Sequence, residues 1–120
     1  SSQFDGKYYM LDFWATWCQP CVAKRPKLEE IKSKLGNAIE IISISLDSDA
    51  PTVESFRKEK FDMPWHHVLK DEKFEDPFIK KYVPTGLPYG YIINPQGKVV
   101  AYDKELDAEN LINTIERVIQ

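Results

Sequence analysis

From Tyr8 to Trp14 the chain is apolar on both alternating faces, interrupted only by Asp12. A strand of that kind expects cover on both sides, as in the centre of an α/β sheet. A turn follows, and a helix opens at Cys18–Cys21. Val22, Leu28, Ile31 and Leu35 then recur at helical spacing, and Gly36-Asn37 supplies a stop. The β-rich run from Ile39 to Leu46, ending at Asp47, is expected to pair as the second parallel strand of a right-handed βαβ unit. Ser48-Asp49-Ala50-Pro51 reads as the start of another helix, with Val53, Phe56 and Phe61 as its apolar positions. Trp65 to Leu69 predicts a short strand, and Phe74, Phe78 and Tyr82, spaced i, i+4, i+8, predict a further helix. Asn94-Pro95-Gln96-Gly97 has proline and glycine where a four-residue turn favours them, so the last strands form a hairpin. In the terminal helix Asp107 is the expected cap, and Leu111, Ile112, Ile115, Val118 and Ile119 make one core-facing stripe.

Composition adds boundaries to that picture. A chain of 120 residues with 42% hydrophobic content can bury one core as a single domain, without disulfide staples. A net charge of −3, with lysine and glutamate interspersed, argues against nucleic acid as the main partner. Lys24, Arg25, Lys27, Lys32 and Lys34 are mixed with Glu29 and Glu30, and read as a solvated helix face. No stretch reaches the ~20 apolar residues of a membrane span, and no signal peptide or lipidation motif is visible. The chain starts Ser1-Ser2-Gln3 without a methionine and is in its central strand by Tyr8. The expectation is the C-terminal domain of a longer precursor, any membrane anchor or export signal lying upstream.

The chemistry gathers at Cys18 and Cys21, which are the two cysteines of the chain. The thiolate is the reactive form, and a free cysteine has a pKa of roughly 8.5. A helix start offers unpaired N–H groups and the positive end of the macrodipole, which favour the thiolate. Two intervening residues on a helical turn bring the sulfurs within bonding reach, and Pro20 fits a first turn where its missing N–H costs little. A redox-active pair is one reading. A zinc half-site is a second, but it needs two more ligands, and the available His66 and His67 are neighbours in a strand, facing opposite ways. A structural disulfide is a third, although so short a loop removes little chain entropy. Asp12, a lone carboxylate inside an apolar strand, is expected to have a raised pKa.

The run Phe13-Trp14-Ala15-Thr16-Trp17-Cys18-Gln19-Pro20-Cys21 resembles the active-site signature of the thioredoxin superfamily. Its wording is most similar to the TlpA-like (AhpC/TSA-related) thiol–disulfide oxidoreductases. Pro26 falls where that family has a helix-kinking proline, Thr85-Gly86-Leu87-Pro88 resembles its cis-proline loop, and Tyr91 to Val100 resembles the strand–turn–strand after it. The resemblance implies a thioredoxin-like α/β fold: a mixed central sheet flanked by helices, with a helix–strand insertion before the cis-proline loop. It implies exchange with protein disulfides, more in the reductive direction. Cys18 would attack, the more buried Cys21 would resolve, and Asp12 would accept the proton of Cys21. Trp17, Gln19, Pro20, Leu87 and Pro88 would meet the substrate, Trp17 also shielding Cys18. No cofactor or metal is implied beyond the Cys18–Cys21 disulfide. The partners would be protein thiols and an unidentified electron donor, met by a monomeric domain outside the cytoplasm, in a bacterial periplasm or envelope.

The sequence departs from these relatives at two places. Many have a glutamate where Lys24 stands and an amide where Asp12 stands, so the acid has moved from helix to strand or Lys24 simply points into solvent. Tyr89 replaces a usual threonine after the cis-proline. Two other functions stay open. A peroxiredoxin-like peroxidase would need a threonine three residues before its cysteine, where this chain has Ala15. A thioredoxin-like binding module would carry its cysteines idle.

Overall fold

The computed structural model describes residues 6–119, so the reading of Ser1-Ser2-Gln3 lies outside the described residues. Five strands form one sheet in the order β3-β2-β1-β4-β5. The central β1 (Tyr8–Trp14) runs parallel to β2 (Ile39–Ser45) on one side and antiparallel to β4 (Tyr89–Ile93) on the other. β3 (His66–Leu69) adds in parallel to β2, and β5 (Val99–Tyr102) closes the hairpin with β4. The sheet is therefore mixed, as expected, with the apolar run of β1 at its middle.

Alternation along β1 assigns its faces. Met10 joins Leu28 and Ile31 of α1 (Gln19–Leu35), Ile39 and Ile41 of β2, and Leu111 and Ile115 of α4 (Leu111–Val118). Trp14 extends this face against Val53 and Phe56 of α2 (Ala50–Glu59). The odd positions serve the opposite face, where Phe13 meets Ile44, Leu46, Ile79, Val83 and Tyr89 beneath α3 (Pro77–Tyr82). Gly36, at φ 54°, ends α1 where the sequence places a stop. The Asp49 carboxylate caps α2 through the Thr52 N–H, as its position before Ala50-Pro51 predicts.

Three helices depart from the sequence reading. α2 ends at Glu59, so Phe61 lies past it, although it still packs with the cluster of Val53 and Phe56. Phe74 lies in a separate 3₁₀ turn rather than on one helix with Phe78 and Tyr82. The Asp76 carboxylate accepts from the N–H groups of Phe78 and Ile79, so the chain restarts a helix at Pro77, whose missing donor costs nothing there. Asp107 does not cap α4. Its backbone carbonyl accepts from Asn110 and Leu111 in a turn, the helix begins at Leu111, and Ile119 lies just past its end.

Candidate active site

β1 ends at Trp14, and Ala15-Thr16-Trp17 turns the chain into α1. Cys18 is the N-cap residue of that helix, with its N–H bonded to the Ala15 carbonyl at 3.1 Å. Its sulfur accepts the Cys21 N–H at 3.3 Å, using one of the donors that a helix start leaves unpaired. Cys18 and Cys21 are joined as a disulfide, with Cα atoms 5.2 Å apart. Cys18 keeps 7% of its surface and Cys21 none. The less buried cysteine is therefore the one at the very start of the helix.

Around the pair, Gln19 and Pro20 are exposed, and Trp17 keeps 55% of its surface in solvent. The Leu87–Pro88 peptide is cis. Leu87 packs against the hydrophobic cluster that holds both cysteines. Pro88 lines a shallow groove together with Pro20, Ala23 and the segment Asp107 to Glu109. The structure thus brings Trp17, Gln19, Pro20, Leu87 and Pro88 to the cysteine end of the fold. His66 and His67 go elsewhere, to the edge strand, where the rings bond the Glu40 carboxylate and the Met63 carbonyl. Among the described residues, no group of three or more His, Cys, Asp or Glu side chains is placed to hold a metal ion.

Asp12 corrects the sequence reading most sharply. It is fully buried, and the Arg25 guanidinium donates to both its oxygens, at 2.6 and 2.8 Å. The Ser43 hydroxyl donates to Oδ2 at 2.6 Å and accepts in turn from the Trp65 indole at 2.8 Å. Lys24 Nζ lies 3.9 Å from Oδ1. Burial alone pushes this carboxyl up, but the Arg25 charge and hydrogen bonds, with Lys24 and Ser43, outweigh it. Asp12 is held below the ordinary carboxylate value, not above it.

Lys24 and Arg25 are not on a solvated face either, being 1% and 0% exposed. A buried carboxylate demands cations, and residues 21, 24, 25, 28 and 31 make the stripe of α1 that faces the sheet. Arg25 Nε also donates to the Cys21 carbonyl at 3.1 Å, and its guanidinium sits 4.5 Å from the centroid of the Trp14 ring. One side chain therefore links the second cysteine, the central strand and the aromatic floor of the site.

A second polar network supports the first cysteine. Asp47, just past β2, accepts from the Thr16 N–H at 3.1 Å, the Thr16 hydroxyl at 2.6 Å and the Ser45 hydroxyl at 2.6 Å. Sequence reasoning gave Asp47 and Thr16 no role. The signal was present: parallel pairing of Trp14 with Ser45, extended by two residues, sets Thr16 opposite Asp47.

Comparison with known proteins follows the same geometry. A family model described as thioredoxin-like matches residues 6–99. The chain is 34% identical over 99 residues to the thiol-disulfide oxidoreductase ResA of Oceanobacillus iheyensis, covering 82% of this chain and 50% of that one. It is 31% identical over 118 residues to ResA of Bacillus thuringiensis subsp. konkukian, covering 98% of this chain and 64% of that one. The chain thus spans half to somewhat under two thirds of these relatives. Among solved structures, a thiol-disulfide oxidoreductase from Bacteroides fragilis superposes with a TM-score of 0.83 at 26% identity, covering 99% of this chain and 86% of that one.

Proposed function

The chain belongs to the thioredoxin-like family, and on that premise we propose that it is a thiol–disulfide oxidoreductase acting on protein disulfides through Cys18 and Cys21. The observation that carries this reading is the disulfide itself, set at a helix start with Cys18 retaining 7% of its surface and Cys21 none. In the reduced protein the Cys18 thiolate attacks a substrate disulfide. One substrate sulfur leaves as a thiol, and Cys18 holds the other in a mixed disulfide. Cys21 then gives up its proton and attacks the Cys18 sulfur. The substrate leaves as a dithiol and the Cys18–Cys21 bond is restored, so two electrons have moved to the substrate.

Trp17, Gln19, Pro20, Leu87 and Pro88 form the surface the substrate chain meets in this proposal. The supporting observation is that Pro20 and Pro88 line one groove beside the helix start. Asp12 enters as a buried counter-charge, because its oxygens are already committed to Arg25 and Ser43. The pair needs no further cofactor, and its electrons come from a separate thiol donor. The reductive direction and a place outside the cytoplasm complete the reading, supported by the tryptophan-flanked wording of Trp14 to Cys21.

The test is trapping. Cys21→Ser should accumulate mixed disulfides with a protein substrate at Cys18, seen on non-reducing gels, whereas Cys18→Ser should accumulate almost none. Equal trapping by both variants would defeat the assignment. Oxidation by hydrogen peroxide, turned over without any protein disulfide, would favour the peroxidase instead.

A further inference from the structure

Beneath the cysteines lies a buried cluster of one carboxylate and two basic side chains: Asp12, Lys24 and Arg25. The carboxylate is satisfied without Lys24, by two short hydrogen bonds from Arg25 and one from the Ser43 hydroxyl. Lys24 is therefore surplus to the pair. It stands farther off, at 3.9 Å, and a buried amine beside a guanidinium is costly to keep. Both basic residues lie on the turn of α1 that follows Cys21. Residues three apart on a helix hold their Cβ atoms about 5–6 Å apart, which puts Lys24 alongside the second cysteine. Arg25 touches the Cys21 carbonyl directly.

We infer that the Asp12–Lys24–Arg25 cluster is a net cationic counterweight that stabilises the thiolates of the reduced Cys18–Cys21 pair, with Lys24 and Arg25 as positioning residues. This rests on the thiol–disulfide reading above and adds what sets the balance of the couple. An ion of either sign is felt strongly across a buried, low-dielectric interior. Two buried cations stand against one buried carboxylate, Asp12, while Asp107 near Lys24 is only half-buried, so that field favours the negative sulfur. A more stable thiolate means a more stable reduced form, so the cluster shifts the couple toward dithiol.

The groups facing the cluster come from every neighbouring element. β1 contributes Asp12, and β2 contributes Ser43, bonded to Trp65. β3 contributes His67, whose ring feels both Asp12 and Arg25. Asp107, ahead of α4, faces Lys24. On β4, Gly90 lies next to Lys24: a Cβ there would be in ordinary contact with Lys24 Nζ at 3.6 Å, the tight approaches being to Leu106 at 2.9 Å and the Leu11 carbonyl at 3.0 Å. Asp47, under Thr16, and Asp76, at the start of α3, are the other buried carboxylates among the described residues. Burial pushes the Lys24 amine below the ordinary lysine value; Asp12 opposes this, Arg25 adds to it, and Asp107 opposes it. The counterweight is therefore strongest below that lowered value and fades as pH rises through it.

The experiment compares wild type, Lys24→Met and Arg25→Lys. Two readouts are taken: thiolate absorbance at 240 nm of the reduced proteins against pH, and the equilibrium with a glutathione series. Lys24→Met, which keeps length and removes the charge, should raise the apparent thiol pKa by about one unit, a tenfold change in thiolate fraction. Its glutathione equilibrium should shift toward disulfide in the same sense. Arg25→Lys keeps a charge and loses the fork, so it should lower stability in urea while leaving the thiol titration near wild type. An unchanged titration in folded Lys24→Met would overturn the inference, as would an Arg25→Lys shift as large as that of Lys24→Met. If wild type does not exchange with glutathione at all, the oxidoreductase reading fails by itself, and the absorbance titration still decides the role of the cluster.

Discussion

Two aspartates lie buried within a few residues of the same disulfide, and they are held in opposite ways. Asp12 sits in the middle of the central strand and is neutralised by a guanidinium, with a lysine behind it. Asp47 sits just past the end of the neighbouring strand and is satisfied by neutral donors, an N–H and two hydroxyls. The first fastens α1 and Cys21 to the sheet; the second fastens the turn that delivers Cys18. A buried ion pair gains little over a well-packed apolar core but is expensive to break from one side, whereas hydrogen bonds to neutral donors fail in smaller steps. The two cysteines therefore rest on supports of different character: a charged and brittle one beneath Cys21, and a polar and softer one beneath Cys18.

Breaking the charged support should have the largest effect. Arg25→Met strands the Asp12 carboxylate, and unpaired buried charges of this kind cost about 3–5 kcal/mol. Lys24 remains nearby, so the lower end of that range is expected in urea unfolding at pH 7. The loss should depend on pH. The folded Asp12 value is depressed, so the pair contributes in full above the unfolded value of about 3.9 and is lost as pH falls through the folded value. The gap between wild type and Arg25→Met should narrow on acidification from pH 7 to 3. A gap of the same size at both pH values would show that lost packing, not charge, explains the deficit.

The softer support should cost less and act mainly on Cys18. Asp47→Ala removes the acceptor for the Thr16 N–H and for both hydroxyls. An expected loss of about 1–3 kcal/mol follows from stranding these donors. With the turn loosened, the rate of mixed-disulfide formation at Cys18 should fall, while resolution by Cys21 changes less. Stopped-flow measurement of the two phases separates them. If resolution slowed more than attack, the division between the two supports would be wrong.

The two supports also differ in how far the sequence revealed them. The apolar run of β1, the β-rich run of β2, the hairpin at Asn94 to Gly97 and the helix start at Cys18 follow from alternation and turn chemistry, and the structure has all four. Asp12 was conspicuous as a lone charge in that run. Its partner was not, because Arg25 stands among lysines and glutamates that resemble a solvent face. Only the count along α1 from Cys21 to Leu28 would have placed residues 24 and 25 inside. Without a partner in view, desolvation dominated the reasoning and gave Asp12 the wrong direction of shift. Asp47 was hidden differently, as a polar residue at a strand end, where aspartate is ordinary. The break at Asp76-Pro77 is a local cap that outweighed the longer i, i+4 pattern from Phe74.

The smallest stability effect belongs to the part of the turn that neither aspartate reaches. Trp17 follows Thr16 directly, yet 55% of its surface is in solvent, beside exposed Gln19 and Pro20. A large exposed aromatic on a turn that is held from below contributes little to the fold, so Trp17→Ala should change stability by no more than about 0.5 kcal/mol. Its ring is, however, amphipathic contact area of the kind that anchors a partner chain. Exchange with a protein disulfide should therefore slow several-fold in Trp17→Ala, while exchange with a small disulfide such as oxidised glutathione should change little. Measuring both rates on one preparation distinguishes the outcomes. A parallel loss on both substrates would mean that Trp17 acts on Cys18 itself, as a shield over the sulfur. No loss on either would leave the turn a pure carrier of the cysteine, with substrate contact confined to the Pro20–Pro88 groove.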